Sequence, residues 1–536
     1  MFANCFSLIE LDLSSFNTQN VKYMEYIFYN CSLLKKLNLN NFNTTNVKNM
    51  DSMFKSCISI EFIDINNFET SNVNNMKSMF ESCISLISIK YDINKFDTSK
   101  VTNMESMFSG LSKMISLNVS SFNTTNVENM NYMFKSCSLL SSLDLFNFNT
   151  SKVENMEFMF SGCFSLYQLN INIFDIKSVK SMKYMFSECK LLTSIELPIF
   201  TELSVINLSH IFYDCPTLKS LNLSNFDSSN VTYMDYMFSG CSDLIFLDLT
   251  NFNTSSAIDI KYMFSGCSSL TTLNLSSFET ESVNLMNGLF HGCTSLESLD
   301  LSNFNTESTE NMAFMFYKAK SLTSLNISSF NTSNAKFMYF MFDGCESLTS
   351  LDVSNLDISN IIDMDSMFSD CYNLTNLTLI NLNTSSVRSM KSLFKGCKSL
   401  VDLNLDSFDT SSVTSFESMF SGCESLISLN IFHFNTSSAI SMVYLFNDCF
   451  LLSYLNLSNF DTTSVINMGH MFEGCINFTS INLYNFNTSS VQYMDYMFSR
   501  CSSLENIDIS NFDTSSVIDM SHMFEECTSL YSINLS

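Results

Sequence analysis

The chain has no tryptophan, only two prolines and eleven glycines in 536 residues, and just 15% of its residues are charged. So little proline and glycine beside a hydrophobic share of 46% excludes a disordered or linker-rich protein and leaves ample material for a core. Basic residues are scarce as well: 26 Lys and Arg stand against 53 Asp and Glu, a formal charge of −27. That balance repels phosphate backbones and anionic headgroups, so nucleic acid is not an expected partner. No apolar run approaches the roughly 18 residues of a spanning helix. The start, Met1-Phe2-Ala3-Asn4-Cys5, has neither a basic segment nor a long apolar one, so neither a membrane span nor a signal peptide is expected in this chain.

What is present is repetition. From Cys5 to Cys527 the 19 cysteines fall almost always 26 residues apart, with Leu111 and Ala319 filling two gaps in register. The column has 21 members, irregular only at 84–111, where two extra residues enter around Lys90-Tyr91-Asp92. A strict period of this length implies a solenoid, because a propeller blade needs about 40 residues for its four strands. One repeat reads Val47, Met50, Met53-Phe54, Cys57, Ile60, Ile63, Ile65 and Phe68. Spacings of three and four as far as Ile60 predict a short helix, and the alternation Ile63-x-Ile65 predicts a short strand. Thr44-Thr45, Thr98-Ser99 and Thr410-Ser411 then read as helix caps, and glycines directly before the cysteine column, such as Gly110 and Gly474, as left-handed helix ends. The expectation is an α/β solenoid forming one domain over 1–536, a right-handed, curved superhelix of about 20 coils with a parallel sheet on one face. Met1-Phe2 falls on the repeat's own Met-Phe column and Asn534-Leu535-Ser536 follows a strand directly, so terminal caps are expected to be absent and the chain to be part of a longer protein.

These motifs carry a resemblance. Leu34-x-x-Leu37-x-Leu39 resembles the strand segment of leucine-rich repeats, and Met53-Phe54-x-x-Cys57-x-x-Ile60 the Phe-x-x-Cys-x-x-Leu motif of the BspA-type class. Phe42-Asn43-Thr44-Thr45-Asn46-Val47-Lys48-Asn49-Met50 with Asp51-Ser52-Met53-Phe54 is closer still to a repeat of unknown function found in mycoplasma surface lipoproteins. Phe42 stands where ordinary leucine-rich repeats place Asn or Cys, so aromatic stacking is expected to pack the turn after the strand. The resemblance implies a cell-surface or secreted recognition protein that binds a protein, matrix or glycan partner. An intracellular interaction scaffold is the alternative, and an ice- or mineral-binding solenoid a more remote one.

Stacked coils set like residues about 4.8 Å apart, so each apolar column becomes a ladder. Two such ladders, through Phe54, Phe80 and Phe108 and through Phe42, Phe68 and Phe96, account for most of the 52 Phe. Met and Cys columns point one way along a line, whereas a metal needs donors converging from several directions, so no metal site or cofactor is expected. Parallel cysteines also sit with Cβ atoms too far apart for easy disulfides, and free buried thiols follow. The histidines, His210, His291, His433, His470 and His522, have no catalytic spacing, and neither a phosphate loop nor a nucleophile elbow occurs. No catalytic residue is assigned and the protein is read as a non-enzyme.

Outward strand positions form a second kind of column. Nineteen of its 21 members, from Asp12 to Asn534, are Asn, Asp or Glu, which reads either as a polar binding stripe or as a stack of hydrogen-bonded amides. The Thr of Phe-Asn/Asp-Thr forms another rank (Thr18, Thr44, Thr70, Thr98, Thr124), read as an ice-binding face or, more simply, as caps. Large apolar residues interrupt the outward face at Phe62, Phe146, Phe246, Ile380, Phe432, Tyr454 and Tyr484. Phe432, Tyr454 and Tyr484, on consecutive coils beside Asn430, Asn456 and Asn482, form the expected partner-binding patch.

Overall fold

The computed structural model describes residues 1–90, 93–198 and 204–535. Tyr91 and Asp92, the expected insertion, lie outside the described residues; the chain re-enters in a 3-10 turn at Ile93–Lys95. Two compact units are present, 1–259 with 263–270 and 260–262 with 271–536. Each is a solenoid of 26-residue coils, about twenty in the whole chain.

In the first unit the strands are β1 (Glu10–Asp12), β2 (Lys36–Asn38), β3 (Phe62–Asp64), β4 (Ser88–Lys90), β5 (Gln168–Asn170), β6 (Ser194–Glu196), β7 (Ser220–Asn222) and β8 (Phe246–Asp248). The second contains β9 (Ser298–Asp300), β10 (Ser324–Asn326), β11 (Ser350–Asp352), β12 (Asn376–Thr378), β13 (Asn506–Asp508) and β14 (Ser532–Asn534). All pairing is parallel and one repeat out, Leu11 opposite Leu37 and Leu351 opposite Leu377. The expected parallel sheet is present, divided among the described residues into two-stranded pairs. A different column supplies the longer tie. In the first unit, parallel bridges run unbroken from Tyr23 through Asn49, Asn75, Asn103, Asn129, Asn155, Ser181, Asn207 and Tyr233 to Asp259.

The expected helix does not form, and the described residues contain no α-helix. From Met50 to Ile60 the chain runs as consecutive turns: the amides of Met53, Lys55 and Cys57 donate to the carbonyls of Met50, Ser52 and Phe54 at 3.3, 3.3 and 3.1 Å. The intervening amides leave the coil, Met50, Ser52, Phe54 and Ser56 donating to Asn75, Lys77, Met79 and Glu81 of the next coil at 2.7–3.0 Å. Ser52 and Ser56 adopt φ of 53° and 62°, which no α-helix allows. A helix of this length gains little alone in water, whereas stacking gives every second amide a partner. Turns advance the side chains by threes and fours as a helix would, so Met50, Met53, Phe54, Cys57 and Ile60 still share the buried face. Gly110 does hold the expected left-handed conformation, φ 76°, but it closes a run of turns rather than a helix.

The core is a file of rings. Phe28, Phe54, Phe80, Phe108, Phe134 and Phe160 stack with centroids 5.5–6.1 Å apart and planes within 14°. The phenylalanines of the second column are buried from Phe42 to Phe486 among the described residues. Their pairs are less regular: Phe278 and Phe304 lie nearly parallel at 6.2 Å, while Phe42 and Phe122 tilt against the first file at 34° and 39°. The turn after the strand is also closed by the backbone, the Phe42 amide donating to the Leu39 carbonyl at 2.9 Å.

The cysteines are free; seventeen are buried, Cys527 is partly exposed and Cys5 is exposed. The buried thiols of the column donate one coil back, as Cys57 does to the Phe28 carbonyl and Cys83 to the Phe54 carbonyl, both at 3.1 Å. Burial pushes the Cys57, Cys163, Cys215 and Cys423 thiols up to about 12. They are packing residues held protonated.

Candidate binding face

Asparagine and aspartate shape the coil through short local bonds. Asn38, Asn43 and Asn49 each accept, on Oδ1, the amide two residues on, from Asn40, Thr45 and Asp51 at 3.0–3.1 Å. These Asx-turns end the strand, open the next segment and seat the bridge column. The outward column uses its side chains in such turns, and among the described residues some members also bond to one another, as Asn326 does to Asp300 at 2.9 Å. The same donors hold the Asp12 and Asp300 carboxyls below the ordinary carboxylate range, through the Ser14 and Ser302 amides first and their hydroxyls second.

The threonine rank is not a surface. Thr18, Thr44, Thr70, Thr98 and Thr124 are buried, and their hydroxyls tie coil to coil rather than cap a helix. The ranked hydroxyls that an ice-binding face requires are therefore inside the molecule.

The seven apolar interruptions are all exposed: Phe62, Phe146, Phe246, Ile380, Phe432, Tyr454 and Tyr484. Among the expected patch residues, Phe432 is 48% exposed, Tyr454 70% and Tyr484 81%. Phe432, Tyr454, Asn430 and Asn456 line one groove of about 440 Å³, together with Asp402, Asn404, Asp406, Ser428 and three leucines. Tyr484 and Asn482 lie outside its lining, one coil further on; there the Asn482 side chain accepts the Tyr484 amide at 3.1 Å. The groove opens where residues 402–404, 428–430 and 454–456 form no assigned strand, between β12 and β13. At its edge the Asp402 carboxylate takes the Leu403 amide at 2.9 Å, and the His433 Nε2 donates to the Leu405 carbonyl at 3.0 Å. Val401 and Ile427, exposed on the same coils, extend the apolar surface. They were legible in the sequence as bulky residues two places before the strand's inward leucines.

A third aromatic column was not among the columns expected from the sequence. Tyr132, Phe158, Tyr184, His210 and Tyr236 stack in order at 5.0, 4.5, 4.2 and 4.6 Å. Tyr444, His470, Tyr496 and His522 repeat the pattern at 4.3, 4.8 and 4.5 Å. All nine adopt φ between 53° and 59°, in the left-handed turn that replaced the helix, so a helical wheel would have scattered them. Their 26-residue recurrence was the available signal. It also accounts for three histidines as stacked rings, and His291 likewise lies on Tyr317 at 4.9 Å, its protonation opposed by burial.

Among the described residues no group of three His, Cys, Asp or Glu is placed to hold a metal ion, and no helix is long and apolar enough to cross a membrane.

The family model described as "Mycoplasma protein of unknown function, DUF285" matches residues 1–89, 85–197, 194–273, 258–377, 338–454 and 441–535. Solved structures similar to the chain include a leucine-rich repeat protein of Bacteroides ovatus, 19% identical, covering 66% of this chain and 81% of that one with a TM-score of 0.36. A leucine-rich cell surface protein of Faecalibacterium prausnitzii is 16% identical over 70% of this chain and 89% of its own, TM-score 0.34. The leucine-rich repeat protein of T. pallidum is 21% identical over 37% and 72%, TM-score 0.21. No curated protein matches.

Proposed function

The chain belongs to the DUF285 family of mycoplasma repeat proteins, and from that premise we propose that it is a non-enzymatic recognition or adhesion protein of the cell surface. It holds a protein or matrix partner against its strand face. The observation that carries this reading is the placing of Phe432 and Tyr454, from adjacent coils, in one groove with 48% and 70% of their surfaces open. Exposed rings amid small polar residues are the usual composition of a binding hot spot, and burying them supplies energy without disturbing the core. Tyr484 and Asn482 extend the contact by one coil. A solenoid suits this role because the face is long while each coil touches only its neighbours, so single coils can vary without unfolding the rest.

The test uses beads carrying the full chain and the matrix laid down by cultured animal cells. The variant Phe432→Ser with Tyr454→Ser and Tyr484→Ser is expected to lose adherence at least about tenfold, consistent with more than 1.4 kcal/mol of lost contact, with a nearly unchanged melting temperature. Undiminished adherence by a folded variant would refute the assignment.

A further inference from the structure

We propose that the groove between Phe432 and Tyr454 receives a cationic side chain of the partner, an arginine or lysine, held against the two rings and met by the Asp402 and Asp406 carboxylates. The inference rests on the preceding reading and narrows it to one chemistry. The groove lining contains two carboxylates, two exposed rings and three asparagines, Asn404, Asn430 and Asn456, but no cation. Each carboxylate is only partly used. Asp402 accepts the Leu403 amide at 2.9 Å, and Asp406 accepts the Asn430 side chain at 3.3 Å. A carboxylate offers about four acceptor positions, so both retain capacity for a donor. The nearest basic residue in sequence, Lys398, is already paired with Glu424 at 2.9 Å.

Two other grooves along the strand face lack this combination. The one at β1 and β2 contains Glu10 and Asp12 but also Lys36, which pairs with Glu10 at 2.5 Å, and it has no ring. The one around Ser194, Pro198 and Asn222 has no carboxylate, and its only ring, Phe226, is buried. The 402–456 groove alone among the three offers ring faces with uncompensated negative charge, the environment that draws a guanidinium or ammonium out of water. Its volume of about 440 Å³ admits an arginine with its aliphatic stem, and the chain's charge of −27 favours approach of a basic partner from a distance.

The experiment titrates the full chain with the peptide acetyl-Gly-Gly-Arg-Gly-Gly-amide at physiological salt, followed by the NMR line widths of the peptide. A second peptide carries citrulline, the neutral isostere of arginine. Asp402→Asn with Asp406→Asn, and separately Phe432→Ser with Tyr454→Ser, are each expected to weaken binding about fivefold or more, as is citrulline. Glu505→Gln with Asp508→Asn, which removes equal charge elsewhere on the face, should leave it unchanged. Equal weakening by that control, or equal binding of the citrulline peptide, would overturn the inference. If matrix adherence falls in the triple serine variant but the arginine peptide does not bind, the adhesion reading stands and this one fails. If the peptide binds through Asp402 and Asp406 while adherence survives the triple variant, the reverse holds.

Discussion

The Thr44 hydroxyl donates to the Glu69 carbonyl at 2.9 Å and accepts the Glu69 amide at 2.7 Å, so one side-chain oxygen satisfies both backbone groups of a residue in the next coil. Thr306 does the same for Asn331 at 2.8 Å in each direction, and Ser228 for Asn253 at 2.6 and 2.7 Å. Because Thr44 is fully buried, Thr44→Val leaves a carbonyl and an amide without partners in a dry site. The expected loss is about 1–3 kcal/mol, while Thr44→Ser retains most of the stability. Guanidinium unfolding of the two variants measures the difference; a larger loss in Thr44→Ser than in Thr44→Val would show that the methyl group, not the hydroxyl, matters.

The thiols make alkaline pH a specific stress. Burial raises the folded value of Cys57, Cys163, Cys215 and Cys423 from 9.0 to about 12. For a raised group the stabilisation is complete below the unfolded value and disappears as pH rises through the folded one, so stability falls between about pH 9 and 12. Several thiols titrate together, which should make the loss steep. Replacing these four with Ala should flatten the profile of melting temperature over that range. Below pH 9, denatured unreduced protein should titrate close to its 19 thiols, and the native form should react first at exposed Cys5.

Asp343 is a carboxylate the fold would rather keep neutral. Burial first, and the neighbouring Asp370 charge second, push it from 3.8 to about 7. Its contribution is therefore present below about pH 4 and lost as pH rises through 7. Asp343→Asn should raise the melting temperature at pH 8 and change it little at pH 4. A variant that is less stable at pH 8 would mean that the charge is compensated by Lys318 and Lys395.

Gly474 tests the left-handed turn. At φ 73° an L side chain is strained, and a Cβ there would collide with Asp448 Oδ1, which Arg500 holds at 2.8 Å. Gly422 has the same φ, but its Cβ would meet only Gly396 backbone at 3.5 Å. Both alanine variants should lose about 1–2 kcal/mol from backbone strain. Gly474→Ala should lose measurably more, by differential calorimetry.

The sequence by itself determined the period, the buried columns and the parallel register, because a 26-residue repeat can satisfy its apolar residues only by setting each on its own copy. Phe54 on Phe80 and Leu11 opposite Leu37 follow from that alone. It also determined that Phe432, Tyr454 and Tyr484 would be exposed, since they stand at strand positions whose neighbours in the column are small and polar. Only the tertiary structure decided between a helix and a run of turns. Met50, Met53, Phe54 and Cys57 fit either one, and what distinguishes them is whether the amides of Ser52 and Ser56 find acceptors within the coil or on Lys77 and Glu81 of the next. The same distinction moved the Thr44 hydroxyl from a cap to an inter-coil tie and lined up Tyr184, His210 and Tyr236 in the left-handed column. Hydrogen bonds between residues 25 apart leave no pattern in a local window. They exist only once one coil lies on another.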